Sequence, residues 1–302
     1  MDNPQVTKDL NEKWLGGFFD AVGYCKFTLN NPEIGIINTN PIAISRCFSI
    51  FKNNDIIPKI SDKSKPSKSS KKKRWDLFIE GKECFKAASF LKNLIYGKKE
   101  QMDLILEYKK YNNNEEKYHQ KMIYLNQTNH FLINDDEFLY NTLGFYVNKI
   151  HENVNKNSLL IEKTDFNDIY YLSGILDGIG IISIEQKYNK YRDTDKFTPK
   201  ISISNTNKEI ISKCYSTIIN SKIGCHILTL DNNKLNRAKW DICVSGTKRT
   251  YDLSLFLLDK LFVKRQQIEE IFAYLTQRIN EPKGIDTFGY NYMEAINALN
   301  RQ

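Results

Sequence analysis

Residues 168–180 read DIYYLSGILDGIG, and residues 13–23 read KWLGGFFDAVG. Each stretch predicts an apolar helix that stops at a glycine, Gly180 or Gly23, and runs straight into a β-rich segment. Within each, small residues stand four apart, Gly17 with Ala21 and Gly174 with Gly178. That spacing puts them on one helix face, and two such faces let helix backbones approach closely. The expectation is a helix pair, with Gly17, Ala21, Gly174 and Gly178 at its interface, joining two similar halves.

Working outward, each stretch opens the same series of elements. Strands are expected over 24–30 and 33–45, a helix over 47–56, strands over 56–60 and 74–81, and helices over 84–96 and 99–111. The second series has strands over 181–188 and 197–207, a helix over 211–221, strands over 225–230 and 238–246, and closing helices over 253–262 and 264–275. Letters repeat with the elements. Asn38-Thr39-Asn40 and Ile44-Ser45-Arg46-Cys47-Phe48-Ser49 recur 167 residues later as Asn205-Thr206-Asn207 and Ile211-Ser212-Lys213-Cys214-Tyr215-Ser216. Arg74-Trp75-Asp76 and Gly81 recur 165 residues later as Lys239-Trp240-Asp241 and Gly246. Such register across unrelated residue types marks an internal duplication with the plan αββαββα. The chain divides into a first repeat (1–112), a helical connection (113–165), a second repeat (166–280) and a C-terminal extension (281–302). Asp135-Asp136 is expected to cap a connecting helix over 137–150, and a short terminal helix is expected over 291–302.

The 302 residues are 41% hydrophobic and 12% aromatic, enough for a core in each half. A net charge of +8 favours an anionic partner, nucleic acid before a membrane surface. No apolar run approaches the roughly 18 residues a membrane span needs. The six cysteines form no CxxC pair and the four histidines no HxxxH cluster, so neither zinc nor another cofactor is expected. Free thiols in a reducing compartment are the expected state. One window, SDKSKPSKSSKKKR (61–74), carries Lys63, Lys65, Lys68, Lys71, Lys72, Lys73 and Arg74 where a turn joins two strands. Such a turn projects into solvent or onto phosphates, and phosphate contact is the reading adopted.

LGGFFDAVG (15–23) and LSGILDGIG (172–180) resemble the nine-residue signature of LAGLIDADG homing endonucleases in their two-repeat, single-chain form. The resemblance implies an α+β fold: two pseudo-symmetric repeats forming a β-saddle, joined by their signature helices, with a concave nucleic-acid face. It also implies an Asp or Glu at the eighth signature position of each repeat, holding divalent metal for phosphodiester cleavage. Here those positions are Val22 and Ile179. Neither alkyl side chain binds a metal, so no catalytic residue and no metal are expected. Asp20 and Asp177 lie two residues earlier, about 200° around the helix, and the family's sixth position is structural. Lys98 and Lys264 fall where the family carries a basic residue beside the scissile phosphate. Asn40 and Asn207 fall near its water-orienting polar position.

Taken together, these residues predict a monomer with internal two-fold pseudo-symmetry that binds RNA without cutting, as a structural component of a mitochondrial ribosome or another ribonucleoprotein, beside ribosomal proteins. A group I intron maturase is the alternative, followed by a DNA-binding protein and then an active homing endonuclease. The N-terminus shows neither a signal core nor an Arg-rich presequence, and Asn, Lys and Ile are abundant, which suggests a mitochondrial, organelle-encoded chain.

Overall fold

The computed structural model describes residues 4–28, 31–62, 73–110, 115–128, 161–189, 194–232, 237–280 and 288–301. It separates into two compact units, Met1–Leu160 with Asp231–Ala238, and Ile161–Leu230 with Lys239–Gln302.

The first unit runs α1 (Pro4–Val22), β1 (Gly23–Thr28), β2 (Asn31–Asn38), α2 (Pro41–Asn53), β3 (Lys59–Asp62), β4 (Trp75–Glu80), α3 (Lys82–Leu91), α4 (Lys99–Lys110) and α5 (Glu115–Thr128). The second repeats it as α6 (Ile169–Ile179), β5 (Ile181–Asn189), β6 (Thr194–Asn205), α7 (Lys208–Asn220), β7 (His226–Asn232), β8 (Arg237–Ser245), α8 (Thr247–Leu257), α9 (Arg265–Asn280) and α10 (Gly289–Arg301). Each unit holds one four-stranded sheet, ordered β1-β2-β4-β3 and β5-β6-β8-β7. Strand register reproduces the sequence offsets. Gly35 stands opposite Tyr24 and Ser202 opposite Ile181, while Asn38 faces Trp75 and Asn205 faces Trp240.

Alternation along the strands decides which sheet face is covered. Ile34, Ile36, Leu77 and Ile79 are buried on one face, against α2 and α3. Trp14, Leu15, Phe18 and Phe19 of α1 are buried as well, Trp14 stacking on Phe18 at 4.9 Å. In the second unit Ile182, Ile184, Ile201, Ile203, Ile242 and Val244 take the equivalent places. Where β4 and β8 turn into their helices, Gly81 (φ 63°) and Gly246 (φ 91°) adopt a backbone conformation that L side chains rarely tolerate. The same glycine serves the same turn in both repeats.

Two expectations are corrected. The strand expected over 33–45 ends at Asn38, because Asn40 caps α2 and Pro41 occupies its first turn, so Ile42–Ser45 are helical. The repeat is also longer than αββαββα. Within the connection, α5 packs on β1, and its Asn126 amide donates to the Cys25 carbonyl at 2.7 Å. Within the C-terminal extension, α10 packs on β5, and Asn300 donates to the Ile182 carbonyl at 3.0 Å. Both segments thus supply a matching final helix. The helix expected over 137–150 lies outside the described residues.

Candidate nucleic-acid interface

Each signature helix ends in the same hydrogen-bonded knot. Asp20 is buried at 1% exposure, and its Oδ2 accepts the backbone N–H groups of Tyr96 (2.7 Å) and Gly97 (3.0 Å). Asp177, at 2% exposure, accepts from Phe262 (2.9 Å), Val263 (3.1 Å) and Lys264 (2.8 Å). These N–H groups belong to the segments leading into α4 and α9, where helix-terminal donors have no helical acceptor. Both carboxylates therefore tie the signature helix to the helix that closes its unit.

The lysine beside each knot faces the other way. Lys98 Nζ donates to the Phe19 carbonyl at 3.3 Å and to the Asp20 carbonyl, while Lys264 Nζ donates to Leu176 O (2.8 Å) and Asp177 O (2.7 Å). An ammonium on the last carbonyls of a helix complements the helix dipole. Burial nevertheless holds both lysines below the usual lysine value against the opposing pull of Asp20 or Asp177, and brings Lys264 down to about 8.

Val22 and Ile179 are the last residues of α1 and α6, each half-buried. They present no oxygen, and a divalent ion such as Mg²⁺ requires oxygen ligands. The carboxylates one helical half-turn away, Asp20 and Asp177, are engaged by backbone N–H groups. These residues do not fit a divalent-metal site.

Asn40 and Asn207 are helix N-caps. Asn40 Oδ1 accepts from Ile42 (2.9 Å) and Ala43 (3.2 Å), and Asn207 Oδ1 from Glu209 (2.9 Å) and Ile210 (3.1 Å). Asn38 and Asn205 in turn accept the backbone N–H of Asn40 and Asn207, each at 2.8 Å. The duplicated Asn-Thr-Asn is thus a capping device. Of the basic turn, Lys63, Lys65, Lys68, Lys71 and Lys72 lie outside the described residues. Lys73 pairs with Asp62 at 2.8 Å and lies over the Trp75 ring at 4.3 Å, and Arg74 is half-buried. Gly17 and Gly174 are buried, and Ala21 and Gly178 partly so.

The open sheet faces carry side chains that the sequence reading did not single out for binding. On the first, Tyr24 lies across Gly35, whose absent Cβ would fall 2.4 Å from the ring. The Tyr24 hydroxyl reaches Glu33 Oε1 at 2.6 Å and Asp76 Oδ1 at 3.0 Å, so one phenol proton serves two carboxyl groups on neighbouring strands. Burial, then these acids, raises the phenol's pKa. On the second face Lys200 pairs with Glu185 at 3.0 Å, and Ser204 donates to Asp241 at 2.6 Å. Parity along β6 was the available signal, since Lys196, Thr198, Lys200, Ser202 and Ser204 alternate with core positions.

No family model matches the sequence, and no curated protein matches it. Solved structures do. The chain is similar to the I-SmaMI LAGLIDADG homing endonuclease bound to cleaved DNA, with a TM-score of 0.62, 13% identity and 95% of each chain covered. It is similar to the LAGLIDADG meganuclease I-AabMI bound to uncleaved DNA, with a TM-score of 0.59, 15% identity, 96% of this chain and 98% of that one. The LAGLIDADG meganuclease I-CpaMI, also bound to uncleaved DNA, gives 0.62, 12%, 96% and 98%. The chain has the two-repeat LAGLIDADG fold. At these identities the likeness is one of fold. Within the LAGLIDADG fold, LGGFFDAVG and LSGILDGIG form the C-terminal turns of α1 and α6 and the glycine that follows each.

Proposed function

We propose that this LAGLIDADG-fold protein binds nucleic acid without cutting it. The observation that carries the reading is the state of the two signature-helix ends. Each has an alkyl side chain, Val22 or Ile179, at its last position, and its nearest carboxylate is held by backbone N–H groups. Basic balance and solved neighbours bound to DNA support a nucleic-acid ligand.

Our reading of the ligand is a structured RNA in a mitochondrial ribonucleoprotein, a ribosome first and a group I intron complex second. The Lys-rich turn at 61–74 and the replaced acids support it. A second reading, a DNA-binding protein that has lost cleavage, is favoured by the DNA in the similar structures. Crosslinking the protein in cells and sequencing what it carries separates them. Ribosomal RNA, intron RNA or DNA selects one reading; no nucleic acid at all removes all three. Purified protein with Mg²⁺ and DNA is expected to yield no cuts. Specific cuts abolished by Asp20→Asn or Asp177→Asn would overturn the non-catalytic assignment.

A further inference from the structure

The two repeats place equivalent residues in equivalent register, so their open faces can be compared position by position. Glu33 of β2 corresponds to Lys200 of β6, which reverses the charge; Glu80 of β4 corresponds to Ser245 of β8, which removes one. Over the first face and the residue leading into it, Lys26 and Arg74 stand against Glu33, Asp76 and Glu80. Lys26 is itself bound to Glu33 at 3.0 Å, and Glu80 is bound to Lys59. A polyanion approaching there meets carboxylates fixed in place by Tyr24.

The second hairpin continues where the first stops: β5 and β6 extend to Asn189 and from Thr194, while β1 ends at Thr28 and β2 begins at Asn31. The extension carries Lys187 and Lys196, which stand directly opposite each other across the strands. Both are exposed. Like charges in that position repel and weaken a hairpin. Glu185 approaches Lys187 only at 4.0 Å and is shared with Lys200 at 3.0 Å. Among the described residues no acidic side chain lies within ion-pair distance of Lys196. With Lys239 on the same face of β8, four lysines oppose Glu185 and Asp241. A bound phosphate relieves this repulsion; folding alone does not.

We infer that the open face of the second sheet, centred on the Lys187–Lys196 pair, holds RNA phosphates, and that the open face of the first sheet does not. This rests on the proposed nucleic-acid function and assigns the contact to one repeat. The test uses the full chain and a fluorescein-labelled RNA stem-loop, with anisotropy read from 50 to 200 mM KCl. Lys187→Ala with Lys196→Ala is expected to weaken binding about tenfold and to make the salt slope shallower by about 1.5, the counterion release of two phosphate contacts. Lys26→Ala with Lys59→Ala is expected to stay within about twofold of the wild type.

Lys196→Glu supplies the discriminating arm. It replaces a repelling pair with an attracting one, so the melting temperature is expected to rise while affinity falls. A merely structural role would move both readouts together. Unchanged binding in the Lys187/Lys196 variant, or an equal loss in the Lys26/Lys59 variant, overturns the assignment to the second face. A wild-type chain that binds no RNA instead overturns the RNA reading itself, and this site with it.

Discussion

Asp177 and Lys264 hold each other by both main chain and side chain. The Asp177 carboxylate accepts the Lys264 backbone N–H at 2.8 Å, and the Lys264 ammonium returns to the Asp177 carbonyl at 2.7 Å. Asp20 and Lys98 repeat the arrangement with one change: the Asp20 carboxylate takes the N–H groups of Tyr96 and Gly97. The knot fixes how the signature helix meets the final helices of its own unit.

Removing either carboxylate strands buried N–H donors, each costing about 1–3 kcal/mol. Asp177→Ala is expected to destabilise the chain by about 3 kcal/mol or more, and Asp20→Ala by slightly less, since it loses fewer of these bonds. Urea denaturation followed by fluorescence measures this. A change under about 0.5 kcal/mol would mean that water substitutes for the carboxylate.

Lys264 should make stability depend on alkaline pH. Its folded-state value of about 8 lies below the unfolded lysine value of about 10.4, so between them the unfolded chain binds the extra proton. Stability from this group therefore rises with pH across that window. Below about pH 8 the cost of burying the charge is fully present. Comparing melting temperatures of the wild type and Lys264→Met from pH 7 to 10.5 isolates the effect. The difference is expected to shift toward the wild type above pH 8, and a flat difference would uncouple this proton from folding.

On the first sheet, Tyr24→Phe leaves Glu33 and Asp76 without the phenol donor, at a cost of about 1–3 kcal/mol. Gly35→Ala drives a methyl group into the Tyr24 ring, and overpacking of this kind costs about 1–3 kcal/mol. In Tyr24→Ala the same Gly35→Ala change should cost much less. Equal penalties in both backgrounds, by thermal melting, would show that the ring does not impose the glycine.

Asn40→Ala and Asn207→Ala each remove an N-cap accepting two N–H groups and should cost about 1 kcal/mol. RNA affinity per folded molecule should be unchanged at saturating stability. A specific loss of affinity without loss of stability would return these asparagines to the binding surface.

Much of the architecture was legible because duplication doubles each signal. The Asn-Thr-Asn and Trp-Asp repeats fixed the register, and alternation in β2 and β6 fixed the buried face. What the letters could not separate was position from role. Asn40 and Lys98 sit where the resemblance implied a water-orienting group and a phosphate-binding one, yet their polar atoms are engaged with the protein's own backbone. The strand expected through Ile42–Ser45 failed because branched residues suit a strand by propensity, and a Pro41 start with an Asn40 cap outweighs that preference. Lys187 opposite Lys196 depends on a hairpin register that spacing alone does not set.

The helix that lies along β1 or β5 has a consequence for how the chain behaves among other chains. Asn126 and Asn300 each occupy a backbone carbonyl of an outermost strand, and a helix lies along that strand. An uncovered strand edge is a template on which a foreign strand can add. At the opposite edge of the first sheet, β3 is only Lys59–Asp62, too short to offer much of one. Each copy therefore carries its own guard against strand addition, so doubling the module did not double its hazard of self-aggregation.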